Sequence, residues 1–284
     1  MTSVRTWRDV LAEVSAALGS MDEARRLTAE AGGFTLAELV LGLDDPVPQR
    51  AGARLSMMAE RRLAGEPLQY VLGRWGFRSL DLIVDRRALI PRPETEQVVE
   101  AALAEARRVG ASRPLVVADL GTGSGAIALS LAAELPGAQV WATDISAAAL
   151  EVASANLCGL AGFAATRVRL LEGSWFDPLP VDLQGRLDVV VCNPPYIADD
   201  EVLPDEVGDW EPALALRAGE TGLECFVAVT AAAPAWLADQ GVLVVEIAPS
   251  QADAVCALAV EAGFAQVQVR PDLSGRDRMI VARR

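Results

Sequence analysis

The run Asn193-Pro194-Pro195-Tyr196 combines the residue types best suited to chemistry in this sequence. It follows Leu187–Cys192, an apolar and β-branched run that predicts a buried strand, and open α/β sheets bind ligands at the carboxyl ends of their strands. The two prolines fix φ and remove two backbone donors, which leaves the carbonyls of Asn193 and Pro194 free for a ligand. With the Asn193 side-chain oxygen and the Tyr196 ring, they suit a planar group that carries an NH2, such as an amide or a base amine. The alternative is a proline-rich turn that only ends the strand.

A glycine-rich run, Asp119-Leu120-Gly121-Thr122-Gly123-Ser124-Gly125, lies between a predicted strand and an apolar helix. Glycines allow a tight turn and a close approach of ligand to backbone, and the helix amino terminus favours a carboxylate. Asp144 ends the next predicted strand, where it can accept both hydroxyls of a ribose. Spacing alone leaves NAD open, because Gly121, Gly123 and Ala126 also fit its fingerprint.

Two features favour S-adenosylmethionine over NAD. Asp119 could hold an ammonium group, which NAD lacks, and the run that begins at Asn193 follows the fourth strand, where Asn193 could contact cofactor and acceptor alike. After the third strand, Glu172-Gly173-Ser174-Trp175 places an aromatic ring where an adenine would lie, although core packing is the alternative for Trp175. A sulfonium is its own electrophile, so we predict no metal, in keeping with the absence of histidine and the four scattered cysteines.

Composition bounds the class of protein. The 284 residues are 52% hydrophobic and carry a net charge of −14, which disfavours direct binding to nucleic acid. No apolar run approaches the roughly 18 residues that a membrane span needs, and no apolar segment follows Met1–Arg5 as in a signal peptide. With unpaired, reduced cysteines, these features predict a cytoplasmic protein that does not enter a membrane.

The chain order predicts three parts. Residues 1–74 read as helices that begin at Thr6, Ser20 and Thr35, and residues 75–94 read as a hairpin and linker. Residues 95–284 read as an α/β domain with a parallel sheet, in which Thr95 caps the first helix. The seven predicted strands are Leu115–Leu120, Gln139–Thr143, Arg167–Leu171, Leu187–Cys192, Val242–Ile247, Gln266–Arg270 and Met279–Ala282. The loop 90–96 is either a capped linker or a flap over the site, and 197–223 is predicted as an insertion over the site.

With these residues in place, the chain resembles the peptide chain release factor N5-glutamine methyltransferases, which are class I S-adenosylmethionine-dependent methyltransferases. The resemblance covers nearly the whole chain. Its motifs are the helical amino-terminal part, Leu89-Ile90-Pro91-Arg92-Pro93-Glu94-Thr95-Glu96, the run from Asp119 to Gly125, Gly173-Ser174-Trp175-Phe176, Asn193-Pro194-Pro195-Tyr196, Glu211-Pro212-Ala213-Leu214-Ala215-Leu216 with Gly222-Leu223, and Asp272-Leu273-Ser274-Gly275-Arg276-Asp277-Arg278.

The resemblance implies a Rossmann-like, seven-stranded, mostly parallel sheet and a small all-α amino-terminal domain that docks the substrate. It implies methyl transfer from S-adenosylmethionine to N5 of the glutamine in the Gly-Gly-Gln motif of class-1 release factors, which modulates translation termination and leaves S-adenosylhomocysteine. The implied catalytic residues are Asn193, Pro194 and Tyr196, and Pro195 joins them in binding the substrate. The cofactor residues are Asp119, Gly121, Thr122, Gly123, Ser124, Gly125, Asp144, Trp175 and Asn193, and the enzyme is expected to act as a monomer. The alternatives are another glutamine, a nucleic-acid base amine, a non-catalytic cofactor-binding scaffold and an NAD oxidoreductase.

Overall fold

The computed structural model describes residues 5–110, 113–160 and 162–284. Residues 1–4, part of the stretch searched for a signal peptide, lie outside this range. The described chain forms two compact units, one that extends to Arg74 and includes Pro204–Trp210, and one that comprises Trp75–Leu203 and Glu211–Arg284. Sequence reasoning places Pro204–Trp210 within the α/β domain, whereas its contacts group it with the helical unit.

The helical unit contains helices of which the first three begin at a side-chain cap. Their bounds are α1 (Trp7–Leu18), α2 (Met21–Gly32), α3 (Leu36–Leu41), α4 (Gln49–Leu63), α5 (Leu68–Leu72) and, later in the chain, α9 (Asp205–Gly208). Thr6 and Thr35 form complete capping boxes, and the Ser20 hydroxyl accepts from the backbone of Glu23, which confirms the three predicted helix starts.

The core of the helical unit is a cluster of apolar side chains centred on Trp7, which meets Phe34 edge-on at 5.3 Å. Leu39 and Leu55 are buried in it. Val40 and Leu63, which lie at the carboxyl ends of α3 and α4, are exposed although both are apolar.

The second unit begins with the short hairpin strands β1 (Arg74–Phe77) and β2 (Leu80–Ile83). The remaining helices are α6 (Pro93–Val109), α7 (Ala126–Glu134), α8 (Ala147–Gly159), α10 (Ala213–Leu216), α11 (Glu224–Trp236) and α12 (Ala252–Glu261). The strands are β3 (Val116–Leu120), β4 (Gln139–Asp144), β5 (Val168–Glu172), β6 (Leu187–Cys192), β7 (Leu237–Glu246), β8 (Gln266–Pro271) and β9 (Asp277–Arg283). All seven predicted strands are present, and helices α6, α7, α8, α11 and α12 alternate with them.

The seven strands form one sheet in the order β5-β4-β3-β6-β7-β9-β8. The pairings β5–β4, β4–β3, β3–β6 and β6–β7 are parallel, whereas β9 runs antiparallel to both of its neighbours. This confirms the predicted mostly parallel, Rossmann-like sheet. Because its parallel strands point the same way, their carboxyl ends meet at one edge.

The centre of the sheet is buried on both faces, because every residue of β3 and β6 is buried. Alternate residues of these strands form a core with Phe226 and Val229 of α11 and Val255 of α12, while α6 packs against β6, β7 and β9. Within the described ranges, none of the helices is both long and apolar enough to span a membrane.

Candidate active site

The loop between β3 and α7 is a glycine turn at the carboxyl edge of the sheet. Gly121, Gly123 and Gly125 all have positive φ values, of 72°, 56° and 85°, which side chains with a Cβ rarely adopt. The carbonyl of Thr143 on β4 accepts from the backbone N–H groups of Gly121 and Thr122, both at 2.9 Å. The loop is therefore fixed to the neighbouring strand, with Gly121 and Gly123 on the wall of a cavity.

Asp144 ends β4 on the wall of the same cavity. Its Oδ2 accepts from the backbone of Gly123 at 2.8 Å, and its Oδ1 accepts from the backbone of Ser146 at 2.9 Å. Burial raises the pKa of this carboxyl above its ordinary value. Each oxygen keeps a second lone pair for a ligand hydroxyl, as the ribose prediction requires.

Asp119 lies beneath the glycine loop, fully buried and away from the cavity wall. Its Oδ2 accepts from the hydroxyl of Thr122 at 2.6 Å and from the backbone of Ala128 at 3.0 Å, so part of its role is to hold the loop on α7. Its Oδ1 has no hydrogen-bond partner among the described residues. Burial, with a smaller contribution from the charge of Asp144, raises the pKa of Asp119 to about 7.

Three further residues of the predicted cofactor site stabilise the glycine loop from its buried side. They are Thr122, Ser124 and Gly125. Thr122 and Ser124 are buried, and the carbonyl of Ser124 accepts from the side chain of Asn156 at 2.9 Å. Gly125 precedes α7 and donates to the Thr122 carbonyl at 2.8 Å. A side chain at Gly125 would meet Leu129 at 3.1 Å. These three predicted residues shape the loop and do not line the cavity.

Trp175 follows β5 in a conformation that a tryptophan seldom adopts, with φ at 44°. Its carbonyl accepts from the hydroxyl of Thr143 at 2.8 Å, which ties this turn to the strand that holds the glycine loop. Its indole both lines the cavity and packs against the core, and it would touch a Cβ placed on Gly121 at 3.5 Å. Trp175 therefore packs against the core and also lies on the cavity wall, where the predicted contact with adenine stays a prediction.

The run after β6 divides between the cavity and the core. Asn193 and Pro195 line the cavity, whereas Pro194 is buried and Tyr196 packs, half-buried, against the core outside the cavity wall. The Tyr196 carbonyl accepts from the side chain of Gln251 at 2.9 Å, and burial raises the pKa of its phenol. Of the predicted acceptor group, only Asn193 and Pro195 face this space.

Two polar residues that sequence reasoning did not assign to the site stand behind Asn193. The amide Nδ2 of Asn193 donates to the hydroxyl of Thr95 at 3.3 Å, and that hydroxyl donates to Oε2 of Glu246 at 2.7 Å. The prediction that Thr95 caps α6 is wrong, because the helix begins at Pro93 with Arg92 as its cap. The sequence does contain a signal for Glu246, which is a carboxylate at the end of the apolar run of β7. Because β7 pairs with β6, this residue lies level with the end of β6.

The remaining wall of the cavity, which has a volume of about 210 Å³, comes from two loops. Ala88 and Leu89 contribute from the segment before α6, and Pro212, Leu214 and Arg217 contribute from the segment around α10. The loops are joined by the buried carboxylate of Glu211, which accepts from the backbone of Ile90 at 3.1 Å and pairs with Arg92. The lining of the cavity thus includes part of the segment predicted as an insertion over the site. Among the described residues, no group of His, Cys, Asp and Glu could hold a metal ion.

This arrangement defines a class of protein. A glycine turn, a carboxylate at the end of the next strand and an Asn-Pro-Pro-Tyr run share one edge of a Rossmann-like sheet. A family model described as the methyltransferase small domain matches residues 103–207, and a model of the PrmC N-terminal domain matches residues 7–73. The protein is a methyltransferase.

Curated relatives narrow the class. Proteins named release factor glutamine methyltransferase from Cereibacter sphaeroides and Moorella thermoacetica are each 44% identical, over 92% of this chain and 90% of theirs. The protein of that name from Neisseria gonorrhoeae is 40% identical over 92% of both chains. The chain belongs to the release factor glutamine methyltransferase family.

Solved structures show the same fold at low identity. The hMettl16 catalytic domain, solved in complex with a 3′UTR hairpin, has a TM-score of 0.51 at 16% identity and covers 82% of this chain and 80% of its own. A methyltransferase from Pyrococcus furiosus has a TM-score of 0.50 at 17% identity, and the match covers 81% of this chain and 95% of the other. These likenesses show the fold alone.

S-adenosylmethionine is the methyl donor that this family implies, and the residues fit it. The orphaned Oδ1 of Asp119 is a buried carboxyl oxygen beside the glycine turn, which a cationic amine would satisfy directly or through water. Asp144 retains lone pairs for the ribose, and Trp175 offers a ring to the adenine. These residues therefore match the three parts of S-adenosylmethionine, which are its amine, its ribose and its adenine.

Proposed function

We propose that this protein transfers a methyl group to the side-chain amide nitrogen, N5, of the glutamine in the Gly-Gly-Gln motif of class-1 peptide chain release factors. One observation carries the proposal: the carboxamide of Asn193 stands on the wall of the cavity that also holds the glycine turn and Asp144. Acceptor-binding and donor-binding groups therefore share one space. The names of relatives that are 40–44% identical over 92% of the chain supply the substrate class.

The acceptor amide is a poor nucleophile because its nitrogen lone pair is delocalised into the carbonyl. When bound, S-adenosylmethionine supplies an electrophilic methyl group. The task of the protein is then to orient the amide and to exclude water. Oδ1 of Asn193 accepts one amide hydrogen and the Pro194 carbonyl accepts the other, so that positive charge developing on nitrogen is stabilised.

Pro195 on the cavity wall completes the acceptor site beside Asn193, and we propose that the Tyr196 ring contacts the acceptor amide from outside that wall. No residue needs to remove a proton beforehand, because a methylated, positively charged amide nitrogen is strongly acidic and loses its proton to water. This accords with a site that lacks histidine.

The partner follows from the same proposal. The net charge of −14 favours a protein acceptor over nucleic acid. The helical unit that ends at Arg74 docks the release factor, and the enzyme acts as a cytoplasmic monomer. Light scattering of the purified protein with and without release factor measures the stoichiometry, and a stable homodimer would contradict this part.

The test uses methyl-labelled S-adenosylmethionine with a class-1 release factor and with the same factor carrying alanine in place of the motif glutamine. Label on the unaltered factor alone supports the proposal. Asn193→Ala is expected to lower kcat by about 30- to 900-fold, which corresponds to about 2–4 kcal/mol for one preorganised polar contact. Label on both factors would mean that the methyl group goes to a residue other than the motif glutamine. Wild-type turnover by Asn193→Ala would contradict the mechanism.

A further inference from the structure

The side chains of Asn193, Thr95 and Glu246 form a chain of hydrogen bonds that ends at the cavity. The Asn193 amide donates to Thr95 at 3.3 Å, and the Thr95 hydroxyl donates to Glu246 at 2.7 Å. Thr95 is 4% exposed and Glu246 is 1% exposed, so water does not compete for these bonds. Three elements meet here, since Thr95 lies on α6 and the other two residues leave β6 and β7 at the same edge.

The number of hydrogens available fixes the direction of this chain. A hydroxyl has one hydrogen to donate, and an ionised carboxylate can only accept. The Thr95 hydrogen is therefore committed to Glu246, and the Thr95 oxygen can only accept from Asn193. The NH2 side of the Asn193 amide must face Thr95, which turns Oδ1 away from Thr95 and leaves it for another partner.

We propose that Thr95, oriented by Glu246, is a positioning residue that presents the Asn193 oxygen, and not its NH2 group, to the acceptor amide. The catalytic consequence rests on the function proposed above, in which this oxygen accepts an acceptor hydrogen. With the Asn193 amide reversed, its NH2 group would face the NH2 group of the acceptor, and two donors cannot bond to each other.

The charges around Glu246 determine when this orientation holds. Burial opposes the ionised form of Glu246 most strongly, and the charge of Glu94 adds to this effect. The hydrogen bond from Thr95 favours the ionised form, as do Arg278 on β9 and Arg92 before α6. Burial dominates and raises the pKa of Glu246 to about 7. A neutral Glu246 can donate to Thr95, which frees the Thr95 hydrogen to bond Oδ1 of Asn193 and so permits the reversed amide.

The orientation of Asn193 can be measured without any substrate. The sequence contains only two asparagines, Asn156 and Asn193, so selective 15N labelling of asparagine side chains gives two NH2 signals in an NMR spectrum. Asn156 donates to the carbonyls of Ile83 and Ser124 and serves as the internal reference. Thr95→Val removes the hydroxyl at nearly constant volume, and it is expected to shift the Asn193 pair and leave the Asn156 pair in place. Thr95→Ser is expected to leave both pairs near their wild-type positions.

Turnover then tests the consequence. Thr95→Val is expected to lower kcat by about 5- to 150-fold, the range for an unsatisfied buried polar group, with cofactor affinity within about twofold of wild type. Thr95→Ser is expected to restore most of the loss. Thr230→Val is the matched control, because Thr230 is another buried helical threonine whose hydroxyl donates to a carbonyl, that of Phe226 at 2.6 Å.

Glu246→Gln provides a second test at the other end of the chain. Its amide can accept from or donate to Thr95, so it no longer dictates the direction of the bonds. The wild-type kcat is expected to fall as the pH drops through about 7, and Glu246→Gln is expected to be slower and to lack this fall.

An Asn193 signal that does not change in Thr95→Val would overturn the proposal, as would wild-type kcat in that variant or an equal loss in Thr95→Ser. A wild-type protein that leaves the release factor unlabelled while Thr95→Val shifts only the Asn193 signal would refute the proposed substrate and support the positioning of Asn193.

Discussion

The carboxylate of Asp144 accepts a hydrogen bond from the backbone of Gly123 at 2.8 Å, although 21 positions separate the two residues in the sequence. A second bond, from the backbone of Ser146 to the other oxygen at 2.9 Å, completes the environment of this carboxylate. Because the backbone N–H groups of Gly123 and Ser146 both donate, both side-chain atoms at the end of residue 144 must be acceptors. The bond from Gly123 also links β4, whose Asp144 is predicted to bind the ribose, to the glycine turn.

Asp144→Asn is therefore expected to weaken S-adenosylmethionine binding by about 5- to 150-fold, because the new NH2 group must face a backbone donor and the negative charge is lost. Isothermal titration calorimetry measures the affinity. Asp182→Asn, at an exposed position away from the cavity, is the control. Equal affinities for Asp144→Asn and wild type would exclude Asp144 from the cofactor site.

Trp175 should report on the cofactor by fluorescence. The chain has six tryptophans, and among the cavity-lining residues of the described structure Trp175 is the one whose indole would contact an adenine. Adding S-adenosylmethionine is expected to change the emission of wild type and of Trp141→Phe, and to leave that of Trp175→Phe unchanged. If Trp175→Phe still shows the same emission change as wild type when S-adenosylmethionine is added, the adenine does not contact Trp175.

Gly222 lies against the run that carries Asn193. A Cβ on Gly222 would approach the Tyr196 carbonyl to 2.7 Å and the backbone nitrogen of Ala198 to 3.2 Å, and φ is +74°. Gly222→Ala is expected to shift this turn and to lower kcat by about 10- to 100-fold, as displacements near 1 Å do in active sites.

Gly137→Ala is the control for the backbone effect alone, because Gly137 has φ of +85° and a Cβ added there would have no neighbouring atom within 4 Å. It is expected to lose about 1 kcal/mol of stability and no turnover. Similar kinetics in the two variants would indicate that the contact with Tyr196 does not matter.

Glu105 on α6 is a buried carboxylate that joins the helix to the antiparallel edge of the sheet. It pairs with Arg283 at 2.7 Å, Arg270 at 2.8 Å and Arg108 at 2.7 Å. The hydrogen bond from Arg283 is the main cause that lowers its pKa, to about 2. Glu105→Gln leaves these charges without a counterion and is expected to cost about 3–5 kcal/mol in urea unfolding at pH 7.

The sign of the pH effect follows from this lowered pKa. The stabilisation by Glu105 is present above its unfolded pKa of about 4.5 and is lost as the pH falls towards 2. The stability difference between wild type and Glu105→Gln should therefore shrink below pH 4.5. Glu261→Gln, on the exposed side of α12, should match wild type throughout. A difference that persists to pH 2 would contradict the assignment.

Much of the sheet could be predicted because its central strands are short apolar runs. The same reasoning placed Asp144, Trp175 and Asn193 at strand ends, where they line one cavity. It also predicted that Asp119 could hold the ammonium group of the cofactor. The structure buries this carboxylate under the glycine turn, with Oδ1 unpaired among the described residues, and its contact with the ammonium group stays a prediction. A residue before a turn can face either side of it, and the sequence does not distinguish these cases.

Thr95 and Glu246 show where local patterns stop being informative. A threonine followed by a glutamate resembles a helix cap, but Pro93 already starts α6 and frees the hydroxyl for a tertiary bond. The proximity of Glu246 to Asn193 depends on the pairing of β6 with β7, whose residues lie some fifty positions apart. Sequence periodicity carries no information about such a contact.

The position of β9 has a consequence for how the protein is made. This strand follows β7 and β8 in the sequence but lies between them in the sheet, so neither can gain this partner until β9 has left the ribosome. Until then β7, which carries Glu246, presents an apolar, unpaired edge of the kind that promotes aggregation. A nascent chain short of β9 cannot enclose Glu246, so a chaperone that shields β7 during synthesis is expected to raise the yield of active enzyme.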